Sequence, residues 1–438
     1  MNIYAWIGLL GIIVFTLLPF LNKKHRSKEE IRKAFVTISI VLGMIIAVTL
    51  FNVNFLIAFL LGVIVMILCD KKTYTKKRLI IYGVIVLILG VASYFIFRDN
   101  PDYVFKHLKT HPESSSLYVA KNDEKLITYQ SDVVRPLAST VKILIAIEYA
   151  MQVDEGILNK DSYVSLDDLK AFYYQDTDGN AHETWLKSIK DEGNIHHNQV
   201  TLHDVAKGMI TYSSNANTDY LLHLIGIKKI NERAKSLKLT QHEEVYPLVS
   251  ALLIADFLQE DEDVSESKLV EKLEDMPMST YRDTAKELSL EMKNGTINIE
   301  DYTFDMSFRL QKLWSDRLIG ASADDYGKLL AIISNDELPT VANETVRDLM
   351  EWPMVINEDN HKHFSHLGAK GGSTAFILND AMYAEDHNGD KFEIVLLTDE
   401  LNIWQQTLIS HNLNSFESKL LGSEDYRLQV QKELSTID

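Results

Sequence analysis

Cysteine is almost absent: Cys69 is the only one in 438 residues. No intrachain disulfide is possible, which fits a bacterial exported protein that is stable without cross-links. Basic residues are scarce after the first hundred positions. Of 44 Lys and Arg and 62 Asp and Glu, 12 and 4 fall in residues 1–99, so that stretch carries +8 and the remainder −26. Such an acidic remainder repels phosphate backbones, which excludes nucleic acid as a partner, and it stands off from anionic head groups. Asp, Glu, Lys and Arg are also missing from four apolar runs, 3–21, 34–51, 53–69 and 79–97. A transporter or proton relay generally needs one there, so a transport role is disfavoured.

What is present in the first hundred residues reads as membrane. Each run has about the 17–25 residues a spanning helix needs. The second and third are parted only by Asn52 and interrupted at Asn54, which reads as a tight helical hairpin. The first has no basic residue before it and no small-residue cleavage site, so it reads as an anchor and not as a signal peptide. Lys23, Lys24, Arg26, Lys28, Arg32 and Lys33 fill one loop, and Lys71, Lys72, Lys76, Lys77 and Arg78 another. Positive loops stay in the cytoplasm. The expectation is an all-α, four-helix transmembrane module at 1–99 with the lipid bilayer as partner. The rest, 100–438, then lies outside a bacterial cell membrane as an extracytoplasmic domain of a multi-pass protein.

That second part mixes strand and helix patterns. Residues 116–120 and 126–129 read as a hairpin turning at Asn122 and Asp123. Residues 375–383 and 391–398 read as strands joined by EDHNGDK, with a last helix from about Ile403. Helical stretches, among them 202–212 and 219–225, lie between. Strands at both ends with helices in the middle imply an α+β domain: an antiparallel sheet built from both ends, with a helical subdomain attached.

Three stretches carry possible chemistry. RPLASTVKILIAIEYA places Lys142 three residues after Ser139, at the start of an apolar helix. A lysine entering such a helix costs several kcal/mol, about, unless something uses it. The i,i+3 spacing puts both on one face, suited to a nucleophile and its base or to nothing beyond a helix start. MITYSSNANTDYLL brings Ser213, Ser214 and Asn215 after a helix, either functional groups or a cap for the next helix. HLGAKGGSTAFILND sets Lys370 at the head of a strand-rich run; Gly371 and Gly372 allow close approach of a backbone or ligand.

In chain order these are S-x-x-K, S-x-N and K-G-G. The set resembles the serine β-lactamase and penicillin-binding protein family, most closely the class A β-lactamases. PLASTVK is similar to that family's nucleophile helix, and the hairpin before it to the first two strands. IGASADDYGKLLAIIS resembles the helix after the omega loop, and DLMEWPM the stretch before the lysine–glycine strand. The resemblance covers most of 103–438 and none of the apolar half. It implies a β-lactamase/DD-peptidase-like fold acting through an acyl-enzyme, without metal or cofactor, on a β-lactam or a peptidoglycan-like D-alanyl amide or ester. The alternative it implies is a sensor that is acylated and turns over slowly. Ser139 would be the nucleophile, Lys142 its base, and Ser213 the proton relay. Asn215, Lys370, Gly372 and Ser373 would bind substrate, with the backbone N–H groups of Ser139 and Ser373 forming an oxyanion hole.

The chain departs from the family pattern twice. Gly371 stands where the family has Thr or Ser after the lysine. The segment LTQHEEVYPLVSALL lacks the family's Glu-x-x-Leu-Asn and leaves Glu243, Glu244 or no group as the deacylation base. An acidic stretch at 258–295 lengthens the domain as a lid, a partner surface or a solvated embellishment. HKHFSH lacks a completing Cys or carboxylate pair for metal. DTDGNAHETWLK has Ala181 and Lys187 where a calcium loop needs Gly and Glu. HETWL and HEEVY lack the second histidine of a zinc-protease motif.

Overall fold

The computed structural model describes residues 98–262, 265–302 and 306–437. The four apolar runs lie outside the described residues. Among those described, no helix is long and apolar enough to cross a membrane. All but Arg98 belong to one compact unit, Asp99–Asp438.

The unit is built on five antiparallel strands: β1 (Ser115–Lys121), β2 (Glu124–Tyr129), β3 (Phe364–Ser373), β4 (Leu378–Asp386) and β5 (Lys391–Thr398), in the order β2-β1-β5-β4-β3. Both ends of the domain therefore supply the sheet. The β1–β2 turn uses Asn122 and Asp123 at φ +50° and +67°, the left-handed pair a tight hairpin needs. Alternation along the strands gives the sheet two apolar faces. Leu117, Val119, Ile394 and Leu396 point to one side, and Tyr118, Ala120, Val395 and Leu397 to the other. Each Leu, Val or Ile among them contributes about 1.5–3 kcal/mol on burial.

Helices cover both faces. On the first face lie α1 (Pro101–Thr110), with Val104, Phe105 and Leu108 in the core, and two helices from the chain's end. On the second, α2 (Lys142–Asp154) is buried all round, Ile143 to Ile147 included, as a central helix must be. The helical part adds α3 (Ala181–Asp191) and α4 (Asn215–Ile225). Next to the second face come α5 (Ala323–Ser334) and α6 (Thr340–Met350). The end helices are α7 (Ile403–Gly422), started by an Asn402–Gln405 capping box, and α8 (Glu424–Leu434), capped by Ser423.

Several expectations shift. The helix from Ile403 is followed by α8, because Ser423 restarts the chain as a cap. The strand expected from 375 begins at Leu378. Thr374 N–H bonds to Ile377 O, closing a turn, and Phe376 and Ile377 turn inward. Lys370 lies near the end of β3, not at its head, since pairing already begins at Phe364 opposite Asp386. Ser139 sits in a 3₁₀ turn, Ala138–Val141, just ahead of α2. The acidic stretch is more than a solvated embellishment. Its helices Glu266–Asp275 and Met278–Lys293 bury Leu269, Leu273, Tyr281 and Leu288 in the main core while their charges face out.

Candidate active site

The turn carrying Ser139 is fixed from behind. Arg135 is buried and donates from Nε to Ser116 Oγ at 2.7 Å and from Nη2 to Ser115 O at 3.0 Å, which ties the turn's approach to β1. Asn379 on β4 donates to Pro136 O at 2.9 Å, and Leu137 N–H to Ile319 O at 2.9 Å. Ala138 then takes φ +48°, a left-handed conformation that costs a non-glycine residue about 1–3 kcal/mol and recurs at functional sites. Gly372 on β3 packs against this turn. A Cβ there would lie 2.5 Å from Leu137 O and 2.7 Å from Thr140 N, so only glycine lets β3 come this close.

The S-x-N segment arrives from the helical side. A π-helical turn, Gly208–Tyr212, ends at Ser213, which takes φ +70°. Ser214 caps α4 through Asn217 N–H and meets His182 Nδ1 of α3 at 2.9 Å. Lys142 and Lys370 converge on Ser213. Lys142 Nζ lies 2.7 Å from Ser213 O, 3.2 Å from Ser213 Oγ and 2.9 Å from Asn215 Oδ1. Lys370 Nζ lies 3.1 Å from Ser213 Oγ and 2.9 Å from Gly371 O.

These groups surround a cleft of about 460 Å³. Ser139, Ser213, Asn215, Lys370 and Ser373 line it. Lys142 is fully buried beneath. The Ser139 hydroxyl has no hydrogen-bond partner among the described residues, Lys142 included. Gly372 is a correction: it sets the spacing of strand and turn and does not line the cleft, which its neighbours Gly371 and Ser373 do. Glu243 and Glu244 lie elsewhere. Glu243 pairs with Arg282 at 3.0 Å and accepts from Gly320 N–H at 3.1 Å; Glu244 pairs with Lys286 at 2.7 Å. Neither lines the cleft, so neither is placed as a deacylation base there.

Sequence reasoning passed over Asp178, weighing it only as part of a calcium loop. Among the described residues it is the one acidic side chain lining the cleft. Oδ1 accepts from Ala181 N–H at 3.0 Å; Oδ2 accepts from His182 N–H at 3.2 Å and Asn215 N–H at 3.3 Å. The sequence signal was an aspartate just ahead of a helix, which marks a cap and gives no hint of a cleft.

Burial governs the electrostatics. It pushes Lys142 well below the ordinary lysine range, and the Lys370 charge pushes further, against Asp178 and Asp219. Burial takes Lys370 down to about 8, with Asp380 opposing. A neutral Lys142 amine has two N–H groups and one lone pair. Donation to Ser213 O and Asn215 Oδ1 leaves the lone pair for a hydroxyl proton. The Ser213 hydroxyl accepts from Lys370 and lies 3.2 Å from Lys142 Nζ.

A half-buried serine lining the cleft, a buried lysine able to hold or release a proton, and a serine shared by two lysines suit acyl transfer. The chain belongs to the beta-lactamase enzyme family, whose model matches residues 102–415. No curated protein matches the sequence. Similar solved structures include a class A beta-lactamase from Bacteroides cellulosilyticus, 16% identical over 73% of this chain and 99% of that one, with a TM-score of 0.43. A beta-lactamase from Sphaerobacter thermophilus is 14% identical over 72% and 97%, TM-score 0.46. PBP-A, solved as an acyl-enzyme with penicillin G, is 15% identical over 73% and 96%, TM-score 0.41.

Proposed function

We propose that this protein is a membrane-anchored serine hydrolase whose extracytoplasmic domain forms an acyl-enzyme at Ser139 with a β-lactam or a peptidoglycan-like D-alanyl amide or ester. The observation that carries the reading is the Ser213 hydroxyl held between Lys142 and Lys370, at 3.2 and 3.1 Å, beside Ser139 in one cleft. Neutral Lys142 takes the Ser139 proton as the oxygen attacks the acyl carbon. Ser213 passes a proton to the leaving nitrogen or oxygen. The oxyanion rests on the Ser139 and Ser373 backbone N–H groups, about 3–4 kcal/mol per donor. Asn215 Nδ2, left free while Oδ1 accepts from Lys142, holds the substrate amide carbonyl. Lys370 attracts a substrate carboxylate.

The test is intact-mass analysis of the protein after exposure to penicillins and a fluorophosphonate. A single adduct, absent from Ser139→Ala, is expected. An adduct that persists in Ser139→Ala places the nucleophile elsewhere. A second reading, a sensor acylated and slowly released, is favoured by one observation: Glu243 and Glu244 face away from the cleft. Fast product turnover excludes it. The anchor at 1–99 rests on the apolar runs and their basic loops alone. Impermeant cysteine labelling of intact cells tests it: a cysteine introduced in 103–438 is labelled, and one in 22–33 is not.

A further inference from the structure

Asp178 is placed where the reading above has no use for it. A carboxylate that only capped a helix could sit anywhere on the surface. This one lines the cleft, half-buried, and the other charged side chain lining it among the described residues is Lys370. Its two oxygens accept three backbone N–H groups, from Ala181, His182 and Asn215, at 3.0, 3.2 and 3.3 Å. Two oxygens offer about four lone pairs. The three bonds fix the group rigidly and leave one acceptor position, on Oδ1, unused. The third bond also sets the carboxylate against Asn215, the residue whose amide holds the substrate's carbonyl.

We infer that Asp178 is a specificity-determining residue that binds an ammonium group on the acyl side of the substrate, next to the amide carbonyl held by Asn215. The inference rests on the acyl-transfer reading and narrows its substrates to acyl groups with a free amine near the scissile bond. The ammonium donates to the open position on Oδ1, a charge-assisted bond. Lys370 repels the ammonium, so its attraction to the cleft runs through Asp178 alone, and a neutral acyl group gains nothing there.

The experiment compares Ser139 acylation rates with ampicillin, benzylpenicillin and N-acetylampicillin. The first carries an ammonium on the carbon next to the amide carbonyl; the others do not. The wild type should prefer ampicillin by about fivefold or more at low salt, with the preference shrinking at high salt. Asp178→Asn should bring the ratio to about one, and Asp178→Glu should keep part of it. A merely structural aspartate would slow all three penicillins alike. A wild-type ratio near one, or a ratio unchanged in Asp178→Asn, overturns the inference. Should Asp178→Asn fail to fold, the wild-type ratio and its salt dependence decide alone. Failure of all three penicillins while a fluorophosphonate still labels Ser139 overturns this inference alone; failure of the fluorophosphonate as well sinks the acyl-transfer reading.

Discussion

Two cavities in the domain differ in how they treat charge. The larger, about 700 Å³, lies among α4, the helix Ile227–Ser236 and the helix Met278–Lys293. Its acids are matched: Glu232 to Lys228 and Lys229, Glu243 to Arg282, Glu244 to Lys286. The smaller cleft does the opposite. Lys142 and Lys370 are both buried, neither has an ion-pair partner within 4 Å among the described residues, and both lean on one serine hydroxyl. Leaving buried cations unmatched is expensive and shifts their protonation. Paired charges hold structure together, while unmatched ones are available to move protons. Size alone would have selected the other cavity.

The strongest way to break this contrast is to remove the reacting groups. Ser139→Ala should abolish the adduct, and Lys142→Ala should slow acylation by several orders of magnitude, because residues acting as one unit lose most of their effect together. Intact mass with time-resolved quenching reads both. Acylation that survives Lys142→Ala at near wild-type rate would make the buried lysine a structural oddity.

Next in size is Gly372→Ala. The added Cβ would collide with Leu137 O and Thr140 N, prising β3 from the Ser139 turn. A displacement near 1 Å costs about 100-fold in rate, while the sheet pairing should survive, so far-ultraviolet circular dichroism should hold steady. A fully active Gly372→Ala would mean the turn is not held to tolerance.

A pH profile sharpens the comparison. Acylation should rise as Lys142 loses its proton and fall above about pH 8 as Lys370 loses its charge. Lys370→Arg should move the falling limb upward, and a limb that does not move would assign it elsewhere. The sign for stability follows from the same shifts. Both lysines titrate lower folded than unfolded, so the unfolded chain binds more protons between about 8 and 10.5. Through that window the two lysines add stability as pH rises. Thermal melting against pH, with Lys370→Met for reference, checks it.

The smallest effects belong to the matched cavity. Glu243→Gln should leave acylation and adduct release within about twofold. Its carboxylate is 39% exposed, so the lost pair with Arg282 should cost under about 1 kcal/mol after solvent screening. A release rate that collapses in this variant would return Glu243 to the reaction. Gly371→Thr belongs here too. Its Cβ would stand 3.3 Å from Asp380 Oδ1, so the new hydroxyl is expected to bond Asp380 more than to reach the cleft. A clear rise in the rate with penicillins would show the opposite.

Much of the fold was written locally. The hairpin at Asn122 and Asp123 and the strand Lys391–Thr398 follow from alternation and turn chemistry, which short stretches of backbone settle by themselves. So does the Ser139–Lys142 spacing, since one turn of chain joins them. The motifs also fixed the family, because their order along the chain is itself a sequence property. What the residues by themselves left open was the geometry of the contacts made across distance. Lys142 meets Ser213 over 71 positions, and Lys370 meets the same hydroxyl over 157. Glu243 and Glu244 looked available until packing turned them toward Arg282 and Lys286. Asp178 looked like a discarded calcium ligand until the end of α3 was set against the S-x-N turn. Periodicity says which face of a helix or strand is buried; it does not say what that face is buried against. That is decided when sheet and helices close around a shared core, and the charges left unmatched inside are known only then.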